Sequence, residues 1–329
     1  MRALEYVRAA DADQAVELVA GDPTAAFLAG GTTQLDLMKD GVLHPALLVD
    51  ITRLPLHAVE CDGDVLRVGA LVTMEELAAH PTVRERVPFV REALLSGASV
   101  QLRNMATIGG NLLQRTRCRY FRDPDVPQCN KRAPGSGCAA VQGTARMHAI
   151  LGASERCIAV HASDLAVALV ALDAVAHIQG PDGQRQVPLT EFYLTASDSP
   201  EVENVLQHGE LITAVDIPLL PNGARSGYLK VRDRGSYEFA LTSAAVSLVI
   251  SGNAIQEARI GLGGVGSIPW RAWEAERELT GAPVSVENFH RAAASAVHGA
   301  WTVPGTAFKV ELAQRTLIRE LRALSGAAV

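Results

Sequence analysis

The sequence predicts an α+β protein of two or three domains. Its 329 residues exceed what one hydrophobic core usually serves. Hydrophobic residues make up 48% and charged residues 20%, so the chain can bury a large core and should not be disordered. Strand and helix patterns are interspersed up to residue 217, whereas beyond residue 224 strands come first and helices follow, which is typical of an α+β domain.

Charge and hydropathy exclude two classes of function. A net charge of −6 argues against general nucleic-acid binding. No apolar run reaches the ~18 residues that a membrane helix needs, so we expect no membrane insertion. The N-terminus shows no basic segment followed by an apolar one, so we expect a soluble chain without a signal peptide of its own. Export of the folded chain, attached to a partner that carries a signal, stays open.

The first elements alternate between helix and strand around a pair of glycines. The pattern predicts, in order, a helix over 11–20, a strand over 25–29, a helix over 32–39 and a strand over 47–51. Gly30 and Gly31 follow the first of these strands, and Gly41 stops the second helix.

The middle of the chain repeats this mixture. The pattern predicts a hairpin of strands 58–61 and 65–68, a helix after Thr73, a helix over 83–98, a glycine-containing loop over 101–112, a helix over 163–173 and a strand over 174–179, with 190–193 and 210–217 completing a mixed region. Thr73 and Glu76 have the spacing of a helix capping box.

The last third begins after a predicted linker at 218–225, which contains Pro221-Asn222-Gly223. Beyond it the pattern predicts strands at 227–232, 242–250 and 254–262, then helices at 271–280, 286–299 and 306–324. Glycines at 261, 263 and 266 match a dinucleotide fingerprint, but Pro269 interrupts the helix that such a site requires. We therefore interpret this stretch as a structural turn.

Four of the five cysteines lie close together at Cys118, Cys129, Cys138 and Cys157. Four thiols can ligate a zinc ion or an iron–sulfur cluster, or form two disulfides. The spacing matches no short-range zinc finger, and by itself it favours neither metal over the other. Basic residues surround them, as would suit a negatively charged centre: Arg115, Arg117, Arg119, Arg122, Lys131, Arg132, Arg146 and Arg156. The remaining Cys61 stands alone and is interpreted as structural.

Two glycine loops predict a phosphate-binding site. They are Gly30-Gly31-Thr32 and Thr107-Ile108-Gly109-Gly110-Asn111. Glycine lets backbone N–H groups approach a ligand closely, and Thr and Asn add short polar side chains. Two such loops would grip a pyrophosphate from both sides.

Together these stretches resemble the flavin subunit of the molybdenum hydroxylases, the family of xanthine dehydrogenase and carbon monoxide dehydrogenase. The resemblance rests on residues 28–41, 101–111, 163–165, 227–230 and 261–271. It implies FAD as a cofactor, with Asp164 near the ribityl and adenosine side and Lys230 near the isoalloxazine ring. The residues it assigns to FAD are Leu28, Ala29, Gly30, Gly31, Thr32, Thr33, Gln34, Leu35, Thr107, Ile108, Gly109, Gly110, Asn111, Asp164 and Lys230.

The resemblance also implies the architecture. It predicts a two-subdomain FAD-binding fold of the vanillyl-alcohol-oxidase/PCMH type over 1–55 and 56–218. A C-terminal α+β domain of the carbon monoxide dehydrogenase flavoprotein type, with a three-stranded sheet and helices, is expected over 224–329. Residues 115–157 form an insertion between the second loop and the Asp164 helix. A branch of the family, including 4-hydroxybenzoyl-CoA reductase and the periplasmic aldehyde oxidoreductases, carries a [4Fe–4S] cluster in such an insertion, so the resemblance makes the four cysteines its ligands.

The function implied is electron transfer within a molybdenum-dependent aldehyde oxidoreductase of the periplasmic branch. Partners would be a molybdenum-cofactor large subunit and a [2Fe–2S] small subunit in a heterotrimer, with an external electron acceptor. No catalytic acid or base is assigned, because the cofactors carry the chemistry. Whether a [4Fe–4S] cluster relays electrons or only folds the insertion stays open. The alternatives are a 4-hydroxybenzoyl-CoA reductase-like enzyme and a non-redox scaffold stabilised by zinc.

Overall fold

The computed structural model describes residues 3–197 and 199–327 and contains three β-sheets. The strands are β1 (Glu5–Arg8), β2 (Ala25–Leu28), β3 (Leu47–Asp50), β4 (Val59–Asp62), β5 (Val65–Gly69), β6 (Val175–Gly180), β7 (Gly183–Pro188), β8 (Leu211–Pro218), β9 (Arg225–Val231), β10 (Thr242–Ser251), β11 (Ala254–Gly263) and β12 (Trp270–Arg271).

Helices cover these sheets and connect them. They are α1 (Ala12–Ala20), α2 (Gln34–Lys39), α3 (Met74–Ala79), α4 (Pro81–Arg86), α5 (Pro88–Ser96), α6 (Val100–Arg103), α7 (Ile108–Leu112), α8 (Arg119–Arg122), α9 (Ala139–Gln142), α10 (Asp164–Ala171), α11 (Leu189–Phe192), α12 (Trp273–Leu279), α13 (Val286–Ala296) and α14 (Phe308–Ser325). Within the described ranges, no helix combines the length and apolarity needed to cross a bilayer.

The first sheet is parallel, in the order β1-β3-β2. Helix α1 begins at Asp11, whose side chain accepts a hydrogen bond from the Gln14 N–H, and it buries Ala15, Val16 and Val19. Such a cap satisfies one of the free N–H groups of the first turn. The sequence missed β1 because its four residues are all exposed, so they carry no alternation of buried and exposed positions.

The second sheet is antiparallel, in the order β4-β5-β8-β6-β7. The predicted capping box at Thr73 is confirmed by reciprocal hydrogen bonds with Glu76. The helix expected over 83–98 is instead two helices, because Pro88 lacks a backbone N–H and starts α5. Strand β7 escaped prediction since most of it is polar and exposed at the edge of the sheet.

The third sheet has the order β12-β11-β10-β9 and packs against α12, α13 and α14. The three long strands were predicted, and β12 adds a two-residue edge. The glycines at 261 and 263 lie in β11 rather than in a turn. A Cβ on Gly261 would be 2.4 Å from the Val167 carbonyl oxygen, so glycine lets this strand lie against α10.

Candidate functional site

The first glycine loop leaves strand β2 and offers free backbone donors. Gly31 has φ +72°, a conformation that glycine adopts without strain. Helix α2 follows with no side-chain cap at Thr33. Among the hydrogen bonds of residues 3–197 and 199–327, none is donated by the N–H groups of Gly31, Thr32 or Thr33. These donors are available to an anionic ligand.

The second glycine loop is built differently. Residues 108–112 form the short helix α7, and the N–H groups of Ile108 and Gly109 donate to the carbonyls of Val72 and Ala70, both at 2.9 Å. The Gly110 N–H donates to the Thr107 hydroxyl at 3.3 Å. This loop therefore presents small residues and side chains, and not the row of free backbone donors that its glycines predicted.

The two loops touch each other. A Cβ on Gly30 would lie 1.7 Å from the carbonyl oxygen of Met105, just before the second loop. No side chain fits there, so Gly30 allows the two backbones to approach.

Three connected cavities run from the loops into the cysteine segment. The loop cavity is lined by residues 29–34 together with Thr107, Gly109 and Gly110. The central cavity shares Thr32, Thr33 and Gly110 with it and reaches Asp164 and Lys230. The cysteine cavity shares Asp164 with the central one and reaches Cys118.

Most of the residues predicted to bind the cofactor line this cleft. Those that do are Ala29, Gly30, Gly31, Thr32, Thr33, Gln34, Thr107, Gly109, Gly110, Asn111, Asp164 and Lys230. Three others are not among the lining residues. Ile108 is fully buried in the core, Leu28 ends β2, and Leu35 packs near Gly31.

Asp164 and Lys230 form a buried ion pair in the central cavity. The Lys230 Nζ lies 2.7 Å from Asp164 Oδ2, and the two side chains are only 4% and 10% exposed. Tyr228 donates from its hydroxyl to the other oxygen, Oδ1, at 2.6 Å. The two residues that the sequence placed near one ligand are thus brought into direct contact across 66 positions of the chain.

Sequence reasoning missed Arg117 and the residues 233–234 and 237–240 as parts of the site. Arg117 and Phe239 line both the central and the cysteine cavity. The Arg117 guanidinium donates to Asp36 Oδ2 at 2.7 Å and lies over the Phe239 ring at 5.1 Å. Burial and the nearby Arg122 lower the pKa of Arg117. The sequence does show a basic residue next to Cys118, but no neighbouring residue indicates that it would contact Asp36 and Phe239.

The four clustered cysteines are brought together by packing. Cys118 packs against three small buried clusters, each of which also includes or contacts one of Cys129, Cys138 and Cys157. Cys129 and Cys138 pair in an isolated antiparallel bridge. All five cysteines are free thiols, so the disulfides that the spacing allowed are not formed.

The thiols differ in acidity because their surroundings differ. Burial raises the pKa of Cys118 to about 11. The hydrogen bond between Cys138 and Cys157 lowers the pKa of Cys138 to about 6 and raises that of Cys157. His148 Nε2 lies 3.2 Å from the Cys118 sulfur, and burial lowers the pKa of this histidine to about 4, so it is neutral at pH 7. Across residues 3–197 and 199–327, no three His, Cys, Asp or Glu side chains are arranged around a single metal-ion position.

Two family models match consecutive parts of the chain. Residues 2–220 match the FAD binding domain in molybdopterin dehydrogenase. Residues 227–324 match the CO dehydrogenase flavoprotein C-terminal domain. The chain belongs to the flavin subunits of the molybdopterin dehydrogenase family. It is thus a subunit of an oxidoreductase, as the resemblance predicted.

Individual relatives agree with this membership. The chain is 46% identical over 319 residues to the aldehyde oxidoreductase FAD-binding subunit PaoB of Escherichia coli strain K12, covering 96% of each protein. It is 28% identical to the glyceraldehyde dehydrogenase medium chain of Sulfolobus acidocaldarius, covering 84% of this chain and 80% of that one. In structure it resembles a chain of reconstituted CO dehydrogenase from Oligotropha carboxidovorans, with TM-score 0.78, 26% identity and 99% coverage of both chains.

The cleft suits the FAD that a subunit of this family binds. The free N–H groups of Gly31, Thr32 and Thr33 are donors of the kind that phosphate oxygens need. At Gly30 the close approach to Met105 leaves only backbone at that point of the loop cavity. Further along, the Asp164–Lys230 pair places fixed charges in the wall of the central cavity.

Proposed function

We propose that the chain is the electron-transferring FAD subunit of a heterotrimeric molybdenum-dependent aldehyde oxidoreductase, which converts aldehydes into carboxylic acids. The main support is the 46% identity, over 96% of this chain, to an aldehyde oxidoreductase FAD-binding subunit. Bound FAD supplies a carrier between [2Fe–2S] clusters of a small partner subunit and an external acceptor. The aldehyde is oxidised at the molybdenum cofactor of a large partner, so no residue of this chain acts as its catalytic acid or base.

In this proposal the residues that line the cleft hold the cofactor. The free N–H groups at Gly31–Thr33 donate to the pyrophosphate. Asn111 and Asp164 orient the middle of the molecule, and Lys230 lies near the isoalloxazine, where its positive charge favours the reduced flavin. We propose that residues 1–55 and 56–218 are the two FAD-binding subdomains, and that 224–329 closes the site.

We further propose that Cys118, Cys129, Cys138 and Cys157 bind a [4Fe–4S] cluster. Their mutual packing supports this, since a cluster needs four thiolates close to one another. A cubane cluster attaches each thiolate to a different iron, so its ligands need not surround one point. We also propose, from the resemblance to the periplasmic aldehyde oxidoreductases, a periplasmic complex that is exported folded with a signal carried by a partner.

An absorption spectrum of the purified complex tests these assignments. We expect flavin bands over a broad iron–sulfur shoulder, with FAD and iron released in fixed proportion to this chain on denaturation. A colourless chain would contradict the proposed function. Under anaerobic conditions, an aldehyde should bleach the flavin bands. In an acyl-CoA reductase an aldehyde would leave these bands unchanged, and an aromatic acyl-CoA would reoxidise the reduced flavin.

A further inference from the structure

Tyr228 has no assigned role, although its hydroxyl binds Asp164 in the wall of the cleft. The ring is 8% exposed, on strand β9 two residues before Lys230. Its hydroxyl oxygen lies 2.6 Å from Asp164 Oδ1 and 2.9 Å from the Ser243 hydroxyl. Asp164 lines both the central and the cysteine cavity, so Tyr228 contacts a residue that borders both of them.

The direction of these hydrogen bonds follows from the groups involved. A phenol has one proton to donate, and an ionised carboxylate only accepts. Tyr228 therefore donates to Asp164 and accepts from Ser243. Burial and the neighbouring Asp164 raise the pKa of Tyr228 well above its ordinary value, so the hydroxyl keeps its proton.

Tyr228 and Lys230 each donate to one oxygen of the Asp164 carboxylate. Lys230 binds Oδ2 at 2.7 Å and is itself anchored on the Ser96 carbonyl at 3.1 Å. With one donor on each oxygen, the negative charge of Asp164 is held within the protein wall. Charge-assisted hydrogen bonds of this kind are stronger than neutral ones.

The strand that carries Tyr228 is fixed from outside the cleft. The Tyr228 N–H donates to Glu92 Oε2 at 2.7 Å. A Cβ on the preceding Gly227 would lie 2.0 Å from Glu320 Oε1, so the Glu320 carboxylate lies directly against the strand. The phenol is thus positioned by helices α5 and α14, which both lie outside the ligand cavities.

We propose that Tyr228 is a positioning residue that sets the reduction potential of the bound flavin through Asp164. This rests on the proposed placement of FAD against Asp164. Adding electrons to a flavin adds negative charge, and a nearby carboxylate that has lost one of its two donors opposes that more strongly. By neutralising part of the charge on Oδ1, the tyrosine hydroxyl makes the flavin easier to reduce.

The test compares Tyr228→Phe with Thr242→Val in the intact complex. Thr242 is a suitable control because it is fully buried on neighbouring β10 and its hydroxyl has no partner among the described residues. Spectroelectrochemical titration should show the reduced-to-oxidised equilibrium of the Tyr228→Phe flavin shifted about tenfold towards the oxidised form. For a two-electron couple, this shift corresponds to a reduction potential about 30 mV lower. Thr242→Val should leave the potential unchanged.

Several outcomes overturn the proposal. One is an unchanged potential in Tyr228→Phe with FAD retained, and another is an equal shift in Thr242→Val. Loss of FAD from a folded Tyr228→Phe would make the residue a binding group and not a tuning one. A wild-type complex without FAD would instead refute the proposed function. If Tyr228→Phe does not fold, Ser243→Ala takes its place in the test. We expect the flavin potential of Ser243→Ala to shift in the same direction by a smaller amount, and an unchanged potential would refute the proposal.

Discussion

At the scale of single residues, the site depends on the absence of a side chain at Gly30. Gly30 lies where the first loop crosses the backbone at Met105, with no space for a Cβ. Because the obstacle is a backbone carbonyl and not a flexible side chain, it cannot move aside cheaply. The same contact keeps the free donors of Gly31–Thr33 beside the second loop.

We predict that Gly30→Ala separates the two loops. The forced backbone shift should lower the free energy of unfolding by about 1–3 kcal/mol, as overpacking does, and weaken FAD binding at least tenfold. Fluorescence titration of the apoprotein with FAD and thermal unfolding measure the two effects.

Gly235→Ala is the matched control, since a Cβ there meets nothing within 4 Å. It should leave both quantities near wild type. Equal behaviour of the two variants would show that the Gly30 contact does not shape the site.

At the scale of elements, the segment 115–157 is ordered mainly by polar contacts. Arg117 and Arg122 both donate to Asp36 on helix α2, at 2.7 Å each. Lys131 pairs with Glu203 at 2.9 Å. Arg132 donates hydrogen bonds to backbone carbonyl groups within the segment itself, those of Phe121, Asp123 and Val126. These four basic residues, which the sequence suggested as partners of an anionic centre, thus bind acidic residues and carbonyls of the protein.

We predict that Cys118→Ser loses iron and loosens this segment. Cys118 packs against the same buried clusters as each of the other three clustered cysteines, so removing its thiol would open the proposed iron–sulfur cluster. Metal binding contributes folding energy to segments with little apolar content. Iron analysis should show a loss of about four iron atoms per chain. Limited proteolysis should then cut between residues 115 and 157.

The control is Cys61→Ser. Cys61 is exposed on β4 and has no neighbour in the cysteine group, so iron content and protease resistance should be unchanged. If Cys118→Ser keeps both as well, the ligand assignment is wrong.

At the scale of the whole molecule, two carboxylates meet where helices α5 and α14 flank strand β9. Burial, and then the nearby Glu92, raise the pKa of Glu320 to about 7, while Arg319 opposes the shift. Burial also raises the pKa of Glu92. A raised carboxyl pKa in the folded state means that folding favours the protonated form.

We predict that Glu320→Gln stabilises the protein above neutrality. The stability contributed by protonated Glu320 is fully present below its unfolded pKa of about 4.3 and is lost as the pH rises to about 7. Urea unfolding should therefore show wild type and variant alike near pH 4, and the variant more stable by about 1–3 kcal/mol at pH 8.

The control on the same helix is Glu311→Gln. Glu311 is 69% exposed and paired with Arg315, so its loss should change the free energy of unfolding by less than about 1 kcal/mol at either pH. A Glu320→Gln variant whose stability tracks wild type from pH 4 to pH 8 would contradict the raised pKa.

Local patterns predicted the elements well where a pattern exists. The capped helices at Thr73 and Ser163 and the long strands of the third sheet need only residues near one another in sequence. Prediction failed at β1 and β7, whose exposed residues have no periodicity, and over 83–98, where the break at Pro88 was overlooked.

The sequence by itself determined the family, the two glycine loops and the group of four cysteines, because each depends on residue types at short spacing. Only the tertiary structure decided which donors are free. The two loops look alike as sequences, but the N–H groups of Ile108 and Gly109 donate to the carbonyls of Val72 and Ala70. Those of Gly31–Thr33 donate to no group of the described residues. Likewise, no local signal joins Tyr228 to Asp164 or Arg117 to Asp36. Such contacts link distant positions, and only the packing of whole elements brings those positions within hydrogen-bonding distance.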